Sequence, residues 1–315
     1  LGWWRPCVVA LAGMVVYANS VSGPFLFDDQ LSIVENPAIR SLATVTSEGI
    51  NSPLSGRPIV GLTFAVNFAM NGLDVTGYHV ANVAIHLCSA LLLFGLVRRT
   101  LMLPHLRHRY GAHAPDLALA IALVWTVHPL NTEAIDYLTQ RTELLFAFFY
   151  LLTLYAVARS HSGRTGLWQG LAAAACALGM ASKESMVTAP LIVMLYERVF
   201  VYGSWGATFR NRERAYFYGA LALTWVVLAI LVLPGPRAGS AGFSVNVSVW
   251  TYLLNQASII FRYLRLSIWP SGLVVNYGPP VPLMLGAVLP QALVVISLLI
   301  ATVAGLWRHS MLGFP

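Results

Sequence analysis

The sequence predicts an all-α, polytopic bundle of membrane-spanning helices, and three observations predict it. The hydrophobic fraction is 57% and the mean hydropathy +0.70, where a soluble domain is about 45–50% apolar. Charged residues make up only 10% of the chain, against about 25% in soluble domains. The apolar residues also fall in long runs, and in lipid only helices or closed barrels satisfy every backbone polar group. At about 20 residues per span, 315 residues suffice for eight or nine spans in one domain.

The runs lie at 4–21, 79–99, 116–130, 142–159, 167–181, 185–202, 216–234, 250–269 and 285–307. The first follows "LGWWRP" and lacks a small-residue cleavage site, so it reads as an uncleaved span. Arg98, Arg99, Arg107 and Arg109 share one connection, Arg159 and Arg164 another, and Arg210, Arg212 and Arg214 a third. Basic connections mark the cytoplasmic side, which leaves 22–78, 131–141, 182–185 and 235–250 outside. On this topology twelve basic residues and three acids (Asp116, Glu197, Glu213) lie inside, while seven bases and nine acids lie outside. Such a charge distribution points to a bilayer and not to a nucleic acid.

Two segments read as helices lying on the bilayer, with a true crossing the alternative for 250–269. In 250–269, Arg262 and Arg265 share one face, Ile259, Ile260, Leu264 and Ile268 supply an apolar one, and Trp stands at both ends. In the long outer loop, "RPIVGLTFAVNFAMNG" is amphipathic. Cys7, Cys88 and Cys176 all fall in apolar runs without disulfide or CxxC spacing, and are expected as buried packing residues. The chain starts at Leu1 without Met and stops at "HSMLGFP", soon after a span, so a piece of a longer protein is expected.

Candidate chemistry gathers in the outer loops. Asp28 and Asp29 are adjacent carboxylates at the membrane boundary, either a general base or solvated juxtamembrane acids without a role. "HPLNTEAIDYLTQRTELL" sets His128, Asn131, Glu133, Asp136, Arg141 and Glu143 in one short connection, either as a polar pocket or as a Glu133–Arg141 pair. Lys183 and Glu184 occupy the tightest outer loop, where the lysine suits a phosphate or pairs with its neighbour. Arg57 is a second phosphate candidate, and Arg262 and Arg265 suit anionic headgroups. His79 and His86 lack a third ligand, and Walker, GxGxxG, HExxH and GxSxG patterns are absent.

The ordered set "FLFDDQLSIVENPAI", "SGRPIVGLTFAVNFAMNGLDVTGYHVANVAIHLCSALLLFGLV", "HPLNTEAIDYLTQRTELLFAFFYLLTLY", "ASKESMVTAPLIVMLYE" and "QASIIFRYLRLSIWPSGLVVNYG" resembles the membrane half of the transmembrane and tetratricopeptide-repeat containing proteins. These are O-mannosyltransferases of the GT-C class. The resemblance implies a GT-C-like bundle that transfers a sugar, mannose by likeness, from a polyprenyl-phosphate donor to an acceptor hydroxyl on the periplasmic or luminal side of a bacterial inner membrane or the endoplasmic reticulum, with inversion. It implies Asp28 or Asp29 as catalytic base, Asp28 being the first choice. His128, Glu133, Arg141, Lys183 and Glu184 would line the donor pocket, with Lys183 and an arginine at the lipid phosphate. A lipid phosphate departs as an anion, so neither metal nor other cofactor is required. Partners are the donor lipid, membrane lipids and either a protein acceptor or a larger complex. Members of the family continue into further helices and tetratricopeptide repeats, which this chain lacks; a GT-C-like scaffold kept as a non-catalytic subunit is the alternative.

Overall fold

A computed structural model describes residues 2–47, 52–210, 212–233, 248–275, 277–278, 280–308 and 314. The described residues are helical, without a strand: α1 (Trp4–Val16), α2 (Thr44–Ser47), α3 (Pro58–Asn71), α4 (Val75–Leu101), α5 (Pro104–Tyr110), α6 (Ala114–Thr126), α7 (Asn131–Asp136), α8 (Arg141–Ser160), α9 (Thr165–Met180), α10 (Ala189–Glu197), α11 (Trp205–Arg210), α12 (Arg212–Val232), α13 (Val249–Ile268) and α14 (Leu285–Trp307). Local chemistry sets many of these bounds. Pro58 and Pro104 start α3 and α5 with φ already fixed. Asp74 caps α4 by accepting from the Thr76 N–H at 3.0 Å, and Ser248 caps α13 by accepting from the Thr251 N–H at 3.1 Å. Gly72, at φ 60°, ends α3 in a conformation that a side chain would strain.

Five segments are long and apolar enough to cross a membrane: Val75–Leu101, Leu138–Ser160, Glu184–Tyr202, Arg212–Val232 and Leu285–Trp307. The runs expected at 4–21, 116–130 and 167–181 form shorter helices of 13, 13 and 16 residues. The first stops at Val16 and continues as a 3-10 turn, Ala18–Ser22. α13 is not among the span-length apolar helices. Most of the loop expected at 235–250 lies outside the described residues.

The core joins α3, α4, α8, α9, α10 and α12. Small residues let the helices approach, as is usual where lipid supplies no hydrophobic drive: a Cβ on Gly95 of α4 would meet the Tyr155 ring of α8 at 2.7 Å. The α8–α9 seam is lined by Ala156, Ala172, Ala175 and Cys176, all buried. Cys176 packs as expected, but Cys7 and Cys88 are exposed. Both sit on apolar helices on the side turned from the bundle, where lipid is as good a solvent for a thiol as the core.

Side-chain contacts sort the helix termini into two ends. At one end Arg5 meets Asp116, the Thr100 and Tyr196 hydroxyls lie 2.8 Å apart, Arg214 donates to the Ser160 hydroxyl at 2.8 Å, and Arg198 donates to the Leu306 carbonyl at 2.8 Å. The buried carboxylate of Glu197 holds this end together, accepting from the Tyr218 hydroxyl and meeting His161 at 2.5 Å and Arg214 at 3.4 Å. At the other end lie the loops that carry Asp28, Glu133 and Lys183.

One of the two amphipathic readings is corrected. α3 is helical, but it buries Val60, Phe64 and Asn67 while exposing Leu62, Val66 and Met70; both faces are largely apolar, because one meets the core and the other meets lipid. In α13 the amphipathic reading holds: Leu254 and Leu266 are buried on the bundle, while Ile260, Leu264 and Ile268 form an exposed apolar face. The helix is also anchored by Asn255, whose amide exchanges hydrogen bonds with the Val281 carbonyl at 2.7 Å and the Val281 N–H at 3.3 Å.

Candidate functional site

The two adjacent aspartates have opposite environments. Asp29 is fully buried, and one oxygen accepts from the Leu26 N–H at 3.0 Å. The other accepts from the Thr139 N–H at 2.7 Å and the Thr139 hydroxyl at 2.5 Å. Asp29 thus ties the loop after α1 to the 3-10 turn Leu138–Gln140 that leads into α8. Asp28 is exposed, and its N–H donates to the Tyr137 phenol at 3.0 Å.

The chain enters the pair through a left-handed turn at Phe27. At φ 45° it occupies the left-handed region, which a non-glycine residue adopts at a cost of about 1–2 kcal/mol. Its ring stands edge-on to Tyr137, with centroids 6.2 Å apart, and that contact helps to offset the strain. Replacing Asp29 with Asn keeps the shape but sets an amide N–H among donors. It is expected to destabilise the protein by about 2 kcal/mol, read as a lower melting temperature in detergent.

Beside this corner is a cavity of about 350 Å³. Glu133, Asp136 and Tyr137 form one wall, and Tyr263, Val274 and Tyr277 the other. Glu133 and Asp136 are three apart and so share one face of α7. Burial raises the pKa of Glu133, with the Glu143 carboxylate adding to it; burial also raises that of Asp136, although the Ser20 hydroxyl and His79 pull it back. Burial, assisted by the Asp28 and Asp29 carboxylates, pushes Tyr137 up to about 12. Tyr263 and Tyr277 meet edge-on at 6.1 Å, and the Arg262 guanidinium lies 4.6 Å from the Tyr277 ring centre.

The remaining candidates spread around this cavity. Lys183 pairs with Glu143 and not with Glu184, while Arg57 meets Glu184 at 3.2 Å. Both pairs are partly exposed, so each adds little to stability; Glu143→Gln is expected to change it by less than about 1 kcal/mol in thermal melts. His128 lines a separate apolar cavity of about 560 Å³ with Trp125, Asn131 and Ser267. Its Nδ1 accepts from the Leu130 N–H at 3.2 Å, so Nε2 carries the proton and donates to the Ser267 carbonyl at 3.2 Å. Arg265 is exposed on α13.

Arg141 does not face Asp28, nor does it pair with Glu133. It is fully buried at the start of α8. Nε donates to Asn82 Oδ1 at 2.7 Å, Nη1 to Asn67 Oδ1 at 2.5 Å and to the Thr63 carbonyl at 3.3 Å, and Nη2 to the Tyr78 carbonyl at 2.9 Å. The guanidinium lies 4.4 Å from the centre of the Phe64 ring. It also floors a cavity of about 740 Å³ between α3 and α4.

Tyr137, Tyr263 and Tyr277 are cavity residues that the sequence did not single out, whereas Asp136 was already among the candidates of its polar connection. The i, i+3 spacing of Glu133 and Asp136 was the available signal for the acid; nothing local marks the tyrosines, which chain distance keeps apart until the fold is formed. Among the described residues no group of three His, Cys, Asp or Glu is placed to hold a metal ion.

Comparison with known proteins bears on most of the chain. Protein O-mannosyl-transferase Tmtc1 of Drosophila melanogaster is 31% identical over 303 residues, which is 84% of this chain and 33% of the relative. Tmtc2 of the same fly is 27% identical over 290 residues, 84% of this chain and 29% of the relative. The chain belongs to the TMTC-like family. Human protein O-mannosyl-transferase TMTC4 is 29% identical over 212 residues, 59% of this TMTC-like chain and 28% of the relative. The chain therefore spans a third or less of the length of these curated relatives. No protein-family model and no solved structure matches it.

Proposed function

We infer that this chain is the sugar-transferring membrane part of a GT-C protein O-mannosyltransferase. It takes mannose from a polyprenyl-phosphate donor and passes it to a hydroxyl of a protein acceptor, on the periplasmic or luminal side. The observation that carries the reading is the similarity over 84% of the chain to relatives named as protein O-mannosyl-transferases. Support for the side comes from the segregation of arginines to the opposite end of the bundle.

The chemistry suits the cavity beside Asp28. The acceptor hydroxyl gives its proton to the Asp28 carboxylate as its oxygen attacks the anomeric carbon. The bond from that carbon to the phosphate oxygen breaks on the opposite face, and the electron pair leaves with the lipid phosphate. Arg262, exposed over Tyr277, is the cation placed to meet that phosphate; Lys183 and Arg57 join it only by exchanging their glutamate partners. The tyrosine faces at 263 and 277 suit a hexose ring, and Glu133 and Asp136 suit its hydroxyls. Asp29 acts through position, since all its hydrogen bonds hold the loop. A phosphate leaving group is already an anion, so the reaction requires no metal in principle.

The test is transfer of label from radiolabelled polyprenyl-phosphate mannose to hydroxyl-bearing peptides by the protein in native membranes and after purification. Labelled peptide supports the assignment. Donor binding without any transfer by the intact protein would overturn it in favour of a non-catalytic lipid-binding subunit.

A further inference from the structure

The arginine-rich end of the bundle contains a separate cavity of about 430 Å³. Trp3, Arg5, Pro6, Phe94, Arg98 and Pro115 wall it, so it sits where the starts of α1 and α6 meet the end of α4. Arg5 is fixed in place: Nε and Nη2 donate to one oxygen of Asp116 at 2.9 and 2.7 Å, and the guanidinium lies 4.7 Å from the Trp4 ring centre. Arg98 is exposed, and among the described residues no carboxylate lies within ion-pair distance of it. Two guanidinium groups against one carboxylate leave the cavity net positive.

The walls are what separate a lipid from a free anion here. Beneath the cationic rim lie Pro6, Phe94 and Pro115, and beside it stand Trp3 and Trp4, 77% and 54% exposed. Exposed Trp at this depth is typical of the headgroup boundary. Along α1 the apolar surface continues through Val8, Leu11 and Val15, all exposed, which gives an acyl chain a path below the headgroup. The same end repeats the arrangement at lower relief, with Arg99 lying 5.6 Å from the Tyr155 ring centre and Arg159 4.4 Å from that of Trp168. A guanidinium held flat on a ring still offers its N–H edge to phosphate oxygens.

We propose that this cavity binds the phosphodiester headgroup of an anionic phospholipid from the leaflet at the arginine-rich end, with Arg98 as its selectivity residue. The site lies at the far end of the bundle from Asp28 and does not depend on sugar transfer.

The test is native mass spectrometry of the purified protein titrated with phosphatidylglycerol or phosphatidylcholine. The wild type is expected to retain phosphatidylglycerol in preference to phosphatidylcholine. Arg98→Gln, which leaves the Arg5–Asp116 pair intact, is expected to weaken that retention about fivefold, the effect of roughly 1 kcal/mol per basic residue near a membrane surface. Arg164→Gln, an exposed arginine at the same end outside the cavity, is expected to leave retention unchanged. Equal retention of the two lipids overturns the proposal. So does an equal loss from both variants, which would mean diffuse surface charge, or displacement of the lipid by glycerol phosphate alone, which would mean a free-anion site.

Discussion

Asp28→Asn is expected to lower mannosyl transfer by about 10²–10⁴-fold, the usual contribution of a positioned general base, while leaving the fold intact. The geometry separates these two consequences. The Asp28 side chain is exposed; its backbone N–H and its carboxylate both meet the Tyr137 hydroxyl, and Asn keeps the N–H and an oxygen acceptor. Melting temperature should therefore stay near that of the wild type, and donor binding should survive, since the proton is taken only as the acceptor attacks. Asp29→Asn is expected to show the reverse: a loss of thermal stability, with transfer falling only as far as the loop loosens. Measuring rate, donor affinity and melting temperature on both variants discriminates the roles. A stable Asp28→Asn protein that transfers at the wild-type rate removes Asp28 as the base, and a stable Asp29→Asn protein without activity moves the base to Asp29.

What could be read in advance from one dimension was whatever depends on local pattern. The apolar runs mark most of the helices because a span must be continuous in sequence, and the arginine-rich connections mark one end because a helix terminus brings its neighbouring loop with it. "DD" was legible as a pair at a boundary, but not as one buried and one exposed carboxylate. That difference depends on Thr139, 110 positions away. Lys183 illustrates the same limit. Its neighbour Glu184 is the partner that the sequence offers, yet in the fold Glu143 reaches the lysine and Arg57 reaches Glu184, because α3, α8 and the turn after α9 meet only once packed. Runs shorter than expected at 4–21 and 116–130 have a similar cause: the last apolar residues of each leave the helix for turns that carry the outer loops.

Arg141→Ala is expected to destabilise the protein by about 4 kcal/mol, the largest stability effect of any substitution considered for this chain. Arg141 is a charged side chain at the mouth of a membrane-length helix, and no carboxylate among the described residues pairs with it; its partners are two side-chain amides and two backbone carbonyls on α3 and α4. Removing it leaves four buried or half-buried oxygen acceptors short of a donor, at about 1–3 kcal/mol for each that cannot find another, and opens the space beside Phe64. Some recovery by the Asn67 and Asn82 amides, which can turn, keeps the total well below the simple sum. Arg141→Lys should not rescue it, because an ammonium donates from one point and cannot reach acceptors spread around a planar fork. The measurement is thermal unfolding in detergent together with donor binding at a temperature where both variants remain folded. A clamp between α3, α4 and α8 predicts a large fall in melting temperature with donor affinity retained in the surviving folded fraction. Were Arg141 instead the cation at the donor phosphate, melting would change little and affinity for polyprenyl phosphate would collapse; that outcome would return Arg141 to the donor site and require the guanidinium to turn outward through the cavity between α3 and α4.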